Sequence, residues 1–475
     1  MSILRCVRCG TGSLHFAGSE FQCDVCRATY PVRAGVPLYL SEVEIRPSNL
    51  ALSDEVLAGL CRSADLPDNP PTRAALRGVF CSSYHLPDMA LDAENNYYFN
   101  RVGLTGGGHR PQLPSPASGP VHYTITQHHI PARLPCAAQL SWNVRLENRG
   151  ESTIPAAGAA PAGLQYRWRD ADGILTPPVA EPTELPVDIR ANRGLSVPLW
   201  LRTPRRPGRY TLEVLLRRAD EWLEDGALKV PVRITPIWDG YAPRSWRWLD
   251  RPQETYSYLE DHELGRAFLR EELARRGWGS PRMLEVGGCS NPMLWDFPGE
   301  VYTLDIDVQT VQVGALRFGR THPNIHFLAA DANRLPFHDG AFDCAVLFAT
   351  LHHLVDPVAC LRELRRVVRP GGFLGLSSEP IGSYRAATLS AQFRSELEQG
   401  INEQIFTPEE YVQMFRQVGM SARRVEIDRG SLRAILGRRV VGEQLRAKLW
   451  GLRCELRRLA KGLLRRMGVP RLIGR

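Results

Sequence analysis

The stretch from Met283 to Pro380 constrains the fold most. An apolar strand, Arg282–Val286, runs into Gly287-Gly288. A second, Val301–Leu304, ends at Asp305, and a third, Ile325–Ala329, leads to Asp331-Ala332. A fourth, Phe342–Phe348, opens onto Ala349-Thr-Leu-His-His353. A fifth, Phe373–Ser377, ends at Glu379-Pro380. Helical patterns fall between them, such as Val358–Val368 with Leu361 and Leu364 on one face, stopped by Arg369-Pro370-Gly371-Gly372. Short apolar strands alternating with helices specify a doubly wound parallel α/β sheet, whose ligands bind at the carboxyl ends of the strands.

The order and spacing of these turns, with the run LPFHDGAFD at 335–343, resemble a class I S-adenosylmethionine-dependent methyltransferase of the ubiquinone-biosynthesis type. The resemblance implies S-adenosylmethionine as cofactor on a Rossmann-like sheet. It gives Glu285 the role of organising the first turn, while Gly287 and Gly288 let the backbone approach the methionine part. Asp305 would accept both ribose hydroxyls, since a carboxylate takes two hydrogen bonds at once. Asp331 would take the adenine amine, with the Ala332 amide on a ring nitrogen; the bland alternative for Asp331 is a turn cap. The family's acid-x-Gly-x-Gly-x-Gly pattern is altered, because its glycine positions hold Gly287, Cys289 and Asn291. Asn291 tolerates left-handed backbone better than most residues, and Asp307 is expected to face solvent.

Enzymes that methylate exocyclic amines carry an Asn/Asp-Pro-Pro-aromatic turn after the fourth strand. Its absence disfavours adenine or glutamine nitrogen as acceptor. His352 and His353 stand in its place and can supply a general base near neutral pH. The alternative is that one caps the next helix and the other packs.

At the N-terminus, Cys6-x-x-Cys9 and Cys23-x-x-Cys26 can place four thiolates on one ion, a set that Zn²⁺ favours. A ribbon this small has almost no core and takes its folding energy from the metal. Together with Tyr30-Pro31-Val32 and Gly35-Val36-Pro37-Leu38, the pattern resembles the zinc ribbon of methyltransferase-activating subunits. In that family the ribbon is structural and binds partner surfaces.

Val121–Ile234 switches to period-two alternation with turns at Asn148-Arg-Gly150, Asp172-Gly173 and Pro207-Gly208, the pattern of an antiparallel β-sandwich. It resembles immunoglobulin-like modules of glycan-processing proteins. Trp142, Trp168 and Trp222 are either sugar-stacking or core aromatics.

Basicity is concentrated in the tail. Ser431–Arg475 holds 13 Lys/Arg against 2 Asp/Glu, so with a whole-chain charge of +8 the preceding residues are net acidic. Leu445, Leu449, Leu452, Leu456, Leu459 and Leu463 step by four and three, an apolar helical stripe among arginines and lysines. Such a helix can lie on an anionic membrane or dock on protein; nucleic acid is less favoured. With no spanning-length apolar run and no secretion signal, the expected location is cytoplasmic, or peripheral at the inner membrane surface.

The expected layout is multidomain: zinc ribbon 1–45, helical or irregular linker 46–120, β-sandwich 121–236, methyltransferase domain 237–430 and basic helical tail 431–475. The expected activity is O-methylation of a small molecule, or of a glycan or lipid-linked intermediate. Alternatives are an RNA or protein methyltransferase, and a degenerate scaffold.

Overall fold

The computed structural model describes residues 3–40, 43–48, 52–85, 119–128, 130–135, 139–158, 160–177, 183–219, 221–235, 246–249, 258–380, 397, 402–406, 408–423 and 425–428, in two compact units. The basic tail, all but Leu397 of the segment 386–399 that reads as a helix, Thr407 before the helix at 408–417 and the side chain of Trp142 lie outside the described residues.

In the first unit the chain opens with β1 (Leu14–Ala17), β2 (Glu20–Cys23), β3 (Thr29–Arg33) and β4 (Val36–Tyr39). Ala34 and Gly35 both have positive φ (46° and 79°), as a two-residue hairpin turn between β3 and β4 requires. After β5 (Glu44–Pro47) come α1 (Asp54–Ser63) and α2 (Pro70–Phe80), then β6 (Ser82–His85), which pairs with β5. A side-chain cap sets the beginning of each helix. Ser53 accepts the Val56 amide, and Asn69, followed by Pro70, accepts that of Thr72.

The second unit contains β7 (Tyr123–His128), β8 (Arg133–Pro135), β9 (Gln139–Asn148), β10 (Ala162–Arg169), β11 (Leu175–Thr176), β12 (Thr183–Glu184), β13 (Gly194–Arg202), β14 (Gly208–Arg218), β15 (Glu221–Thr235) and β16 (Trp246–Leu249). One sheet runs β11-β10-β14-β15-β8 with β12 beside β10, and the other runs β13-β9-β7. Alternate residues of both meet in one apolar core: Leu164, Tyr166 and Trp168 from β10, Leu212 and Val214 from β14, and Val144 and Leu199 from the facing sheet. Trp168 is fully buried, with its Nε1 donating to the Arg202 carbonyl at 2.9 Å, so it is a core residue and not a sugar platform. Trp222 is half-buried, with the Arg167 and Arg217 guanidinium carbons 5.5 and 5.8 Å from its ring centroid.

Returning to the first unit, α3 (Tyr258–Arg276) leads into β17 (Arg282–Val286), β18 (Glu300–Asp305), α4 (Val308–Phe318), β19 (Ile325–Ala330), β20 (Phe342–Phe348), α5 (Pro357–Val367) and β21 (Val368–Ser377). Asp307, half-buried, caps α4 by accepting the Thr310 amide at 3.1 Å. The parallel strands order β19-β18-β17-β20-β21, and the N-terminal strands continue them: β4 pairs with β19 (Leu38↔Ala329, Tyr39↔Ala330), giving one nine-stranded sheet. Val36 and Leu38 share an apolar core with Val301, Ile325 and Phe327. A second attachment joins the chain start to the loop after β19. The Arg5 amide donates to the Pro336 carbonyl and the His338 amide to that of Ile3, both at 2.9 Å. The ribbon thus covers an edge of the parallel sheet that would otherwise leave backbone groups unpaired.

In the second unit, α6 (Pro408–Gln417) precedes β22 (Val425–Asp428). The sequence reads as a final strand at Ala422–Ile427, without saying which sheet it joins. β22 pairs in parallel with β16, and the nine-stranded sheet ends at β21.

Candidate functional site

The carboxyl ends of β17, β18 and β19 gather the expected cofactor residues. Glu285, at 1% exposure, accepts the amides of Met293 and Leu294 at 2.7 and 3.0 Å, so its carboxyl closes the loop after β17. Burial pushes its pKa up to about 7 against the opposing pull of those two amides. Gly287, at φ 79°, passes so close to Thr350 that a Cβ would lie 2.2 Å from its Oγ1. Gly288 meets Thr303 in the same way. The left-handed residue after the glycine pair is Cys289 (φ 47°), not Asn291. Asn291 instead accepts a hydrogen bond from Arg317 at 3.1 Å.

Asp305 is half-buried at the end of β18. Its Oδ1 accepts the Asp307 amide at 3.0 Å and its Oδ2 accepts the Cys289 thiol at 3.1 Å. Burial raises the pKa of both groups, and the Asp305 carboxylate further raises that of the thiol. A carboxylate has about four acceptor positions, so Asp305 keeps capacity for a diol. Asp331 accepts the Asn333 amide at 2.8 Å, which is the turn cap, and Ala332 beside it is buried. The buried Asn333 side-chain oxygen has no hydrogen-bond partner among the described residues. An orphaned acceptor beside Asp331 fits a site that expects a donor from a ligand.

The end of β20 holds the histidine pair. His352 is buried, and its Nδ1 lies 2.8 Å from Glu379 Oε2. Glu379 also accepts the amides of Thr350, Leu351 and His352, at 2.9, 2.8 and 3.1 Å. Burial alone would raise the Glu379 pKa; its pairing with His352 and these hydrogen bonds outweigh it and hold it below the usual range. His353 is half-buried, with Nδ1 3.3 Å from the Asn402 carbonyl. Sequence reasoning noted Glu379 only as the end of a strand. The signal was the same one that picks out Asp305, an acid where a parallel strand ends. A third imidazole went unnoticed: His262 on α3 is buried, with Nδ1 2.9 Å from Ser378 Oγ. Cys289, Ala349 and Ser378 are all left-handed non-glycines (φ 47°, 48° and 59°). Such backbone strain clusters where ligands bind or reactions occur.

The four N-terminal cysteines come together as expected. Cys6 and Cys26 Sγ are 3.6 Å apart, Cys9 and Cys23 3.7 Å, and none is in a disulfide. A tetrahedron with metal–sulfur bonds of about 2.3 Å has edges of about 3.8 Å, so the set fits one ion. The Gly12 amide donates to Cys9, and the Val25 and Cys26 amides donate to Cys23, each at 3.4 Å. The buried Tyr30 hydroxyl is 3.1 Å from Cys6 Sγ. These are the outer-shell contacts that orient thiolate ligands.

Residues 284–376 match the family described as "Methyltransferase domain". The chain is 33% identical over 121 residues to the ubiquinone/menaquinone biosynthesis C-methyltransferase of Hahella chejuensis, covering 24% of this chain and 48% of that protein. It is 39% identical over 149 residues to the demethylmenaquinone methyltransferase of Beutenbergia cavernae, covering 31% and 58%. The chain thus spans about half the length of these relatives. A solved putative methyltransferase from Bacillus halodurans is 19% identical, with a TM-score of 0.27, covering 31% of this chain and 67% of that one. No described helix is long and apolar enough to cross a membrane. Over residues 284–376 this chain is thus similar to a methyltransferase domain, and the curated relatives named are methyltransferases.

Proposed function

We propose that the protein methylates an acceptor that must lose a proton, a hydroxyl or an acidic carbon of a small or lipid-linked molecule, with His352 as the base. The observation that carries this reading is the buried contact between His352 Nδ1 and Glu379. A carboxylate at Nδ1 holds the proton there and leaves the lone pair on Nε2, which makes Nε2 the proton acceptor. Glu379 also ties down three consecutive amides of the same turn, so the imidazole sits on a fixed support. When bound, S-adenosylmethionine supplies an electrophilic methyl group. Asp305 would hold the ribose diol, Asp331 and Ala332 the adenine edge, and Glu285, Gly287 and Gly288 the loop beside the methionine part. Carbon stands beside oxygen as acceptor atom because the two quinone-pathway relatives include a C-methyltransferase. The four cysteines would hold structural Zn²⁺.

One observation favours a second reading, that of a methyltransferase-fold scaffold. The Cys289 thiol already occupies one oxygen of Asp305. Incubation with methyl-labelled cofactor and candidate phenols, quinols and lipid-linked glycans, read by mass spectrometry, separates the two. His352→Ala should then lose turnover by about 10²- to 10⁴-fold, the usual contribution of a general base, with cofactor still bound. Full turnover in that variant would exclude His352 as the base.

A further inference from the structure

Two residues of the loop after β17, Cys289 and Asn291, stand where the sequence pattern expects glycine. Cys289 keeps a left-handed φ of 47°, which its Cβ disfavours, so the surroundings must impose it. Some of the restraint comes from below: the Cys289 thiol lies on Asp305 and the Asn291 amide donates to the Gly288 carbonyl, both at 3.1 Å. The rest comes from α4, which meets the loop at two points. Gly314 lets the two backbones touch. A Cβ there would lie 3.0 Å from Ser290 Cα, 3.1 Å from the Cys289 carbonyl oxygen and 2.7 Å from Phe327 Cε1. Three residues on, and so on the same face of the helix, Arg317 Nη1 donates to Asn291 Oδ1 at 3.1 Å.

Arg317 also reaches the other way. Its Nη2 donates to Asp65 Oδ2 at 2.7 Å, just past the end of α1, and its guanidinium carbon lies 4.9 Å from the Phe318 ring centroid. A planar guanidinium can hold an amide oxygen and a carboxylate at once in a fixed fork, which a lysine ammonium on its flexible stem does not reproduce. The helix that carries Arg317 is pinned from behind. Val313 joins the apolar core of α1 and α2 with Leu57, Leu60, Leu76 and Val79. Gln309 Nε2 donates to the Ser82 carbonyl at 2.8 Å, and Gln312 Nε2 to that of Arg33 at 3.1 Å. Every residue of α4 is buried except Ala315, Leu316 and Arg317, which are half-buried. The loop therefore takes its place from a fixed wall.

We infer that Arg317 is a positioning residue for this loop: it passes the placement of the α1–α2 pair to Cys289–Asn291 and so sets affinity for S-adenosylmethionine. What the loop holds rests on the proposed function, whereas what holds the loop rests on these contacts alone. The helices between the cysteine cluster and the parallel sheet then support the cofactor loop and are not a mere linker.

The test uses the full chain with Arg317→Ala, Arg317→Lys and Asp65→Ala, each checked for wild-type circular dichroism. The Asn291, Met293 and Leu294 amides all donate within the loop. In ligand-free protein their hydrogen exchange should be about tenfold faster in Arg317→Ala, the effect of losing one charge-assisted hydrogen bond. The amides of Ile325–Ala330 should be unchanged. Arg317→Lys and Asp65→Ala should fall between wild type and Arg317→Ala. Calorimetric titration with S-adenosylhomocysteine, the demethylated cofactor, should give a dissociation constant about tenfold higher in Arg317→Ala. In an Asn291→Ala background, Arg317→Ala should add nothing. Unchanged loop exchange in Arg317→Ala overturns the inference. So does faster exchange throughout β19, which would make Arg317 a residue of general stability. Faster loop exchange with unchanged affinity overturns it too, leaving a local brace with no bearing on the cofactor. A wild type that binds no S-adenosylhomocysteine defeats the proposed cofactor role instead, and the exchange result still decides whether Arg317 fixes the loop.

Discussion

Glu285 shows how much one side chain can set. Its carboxyl closes the first loop from a site where ionisation is unfavourable, with a pKa of about 7 against an ordinary value of 4.5. The folded state therefore holds a proton that the unfolded chain has already released between those two values. Its contribution to stability is greatest below about pH 4.5, falls as pH rises toward 7 and is level beyond, a total of about 3 kcal/mol. Glu285→Gln should remove that slope, as seen in urea midpoints measured across the window; an unchanged slope would assign the pH dependence to other groups. Gly287 makes a complementary prediction. Alanine there would need both a positive φ and space that Thr350 fills, so Gly287→Ala should cost roughly 1–3 kcal/mol and weaken cofactor binding, measured by calorimetry. Neither the carboxyl of Glu285 nor the backbone of Gly287 is duplicated elsewhere in the loop. Cys289 shows where residue-level reading failed. The left-handed position fell to a thiol anchored on Asp305 rather than to Asn291, whose residue type tolerates that geometry better.

Among elements, the strands of the parallel sheet were legible because each is a short apolar run, and all but β20 lead to a glycine or an acid. The sandwich strands were legible from their alternation. The pairing of β4 with β19 was not, because edge-to-edge pairing uses backbone groups and leaves no residue-type pattern across such a separation in sequence. The same holds for β22, which reads as a strand while its partner β16 cannot be inferred from side chains. Through the β4–β19 junction the cysteine cluster braces the parallel sheet. If the four cysteines hold a metal as proposed, removing it should release β1–β4 and expose the edge of β19 along with the loop that follows Asp331. Hydrogen exchange of Ile325–Ala330 before and after chelation measures this. Unchanged protection would show that the ribbon is held by its apolar contacts alone.

For the molecule as a whole, the chemistry was legible as a class and not as a reaction. Acids at strand ends marked the residues proposed to hold the cofactor, and His352 was marked by its place after β20. What gives that histidine a direction is Glu379, which the fold delivers from the next strand. The acceptor leaves no comparable mark, because substrate pockets are shaped by loops whose residue types follow no period. The central claim is that the altered glycine loop still holds S-adenosylmethionine. It is tested most directly by calorimetric titration of the metal-loaded protein, with Asp305→Ala alongside. Micromolar binding, about −8 kcal/mol, abolished in the variant, is the predicted result. The absence of binding in folded, metal-loaded protein would contradict it and leave the scaffold reading in its place.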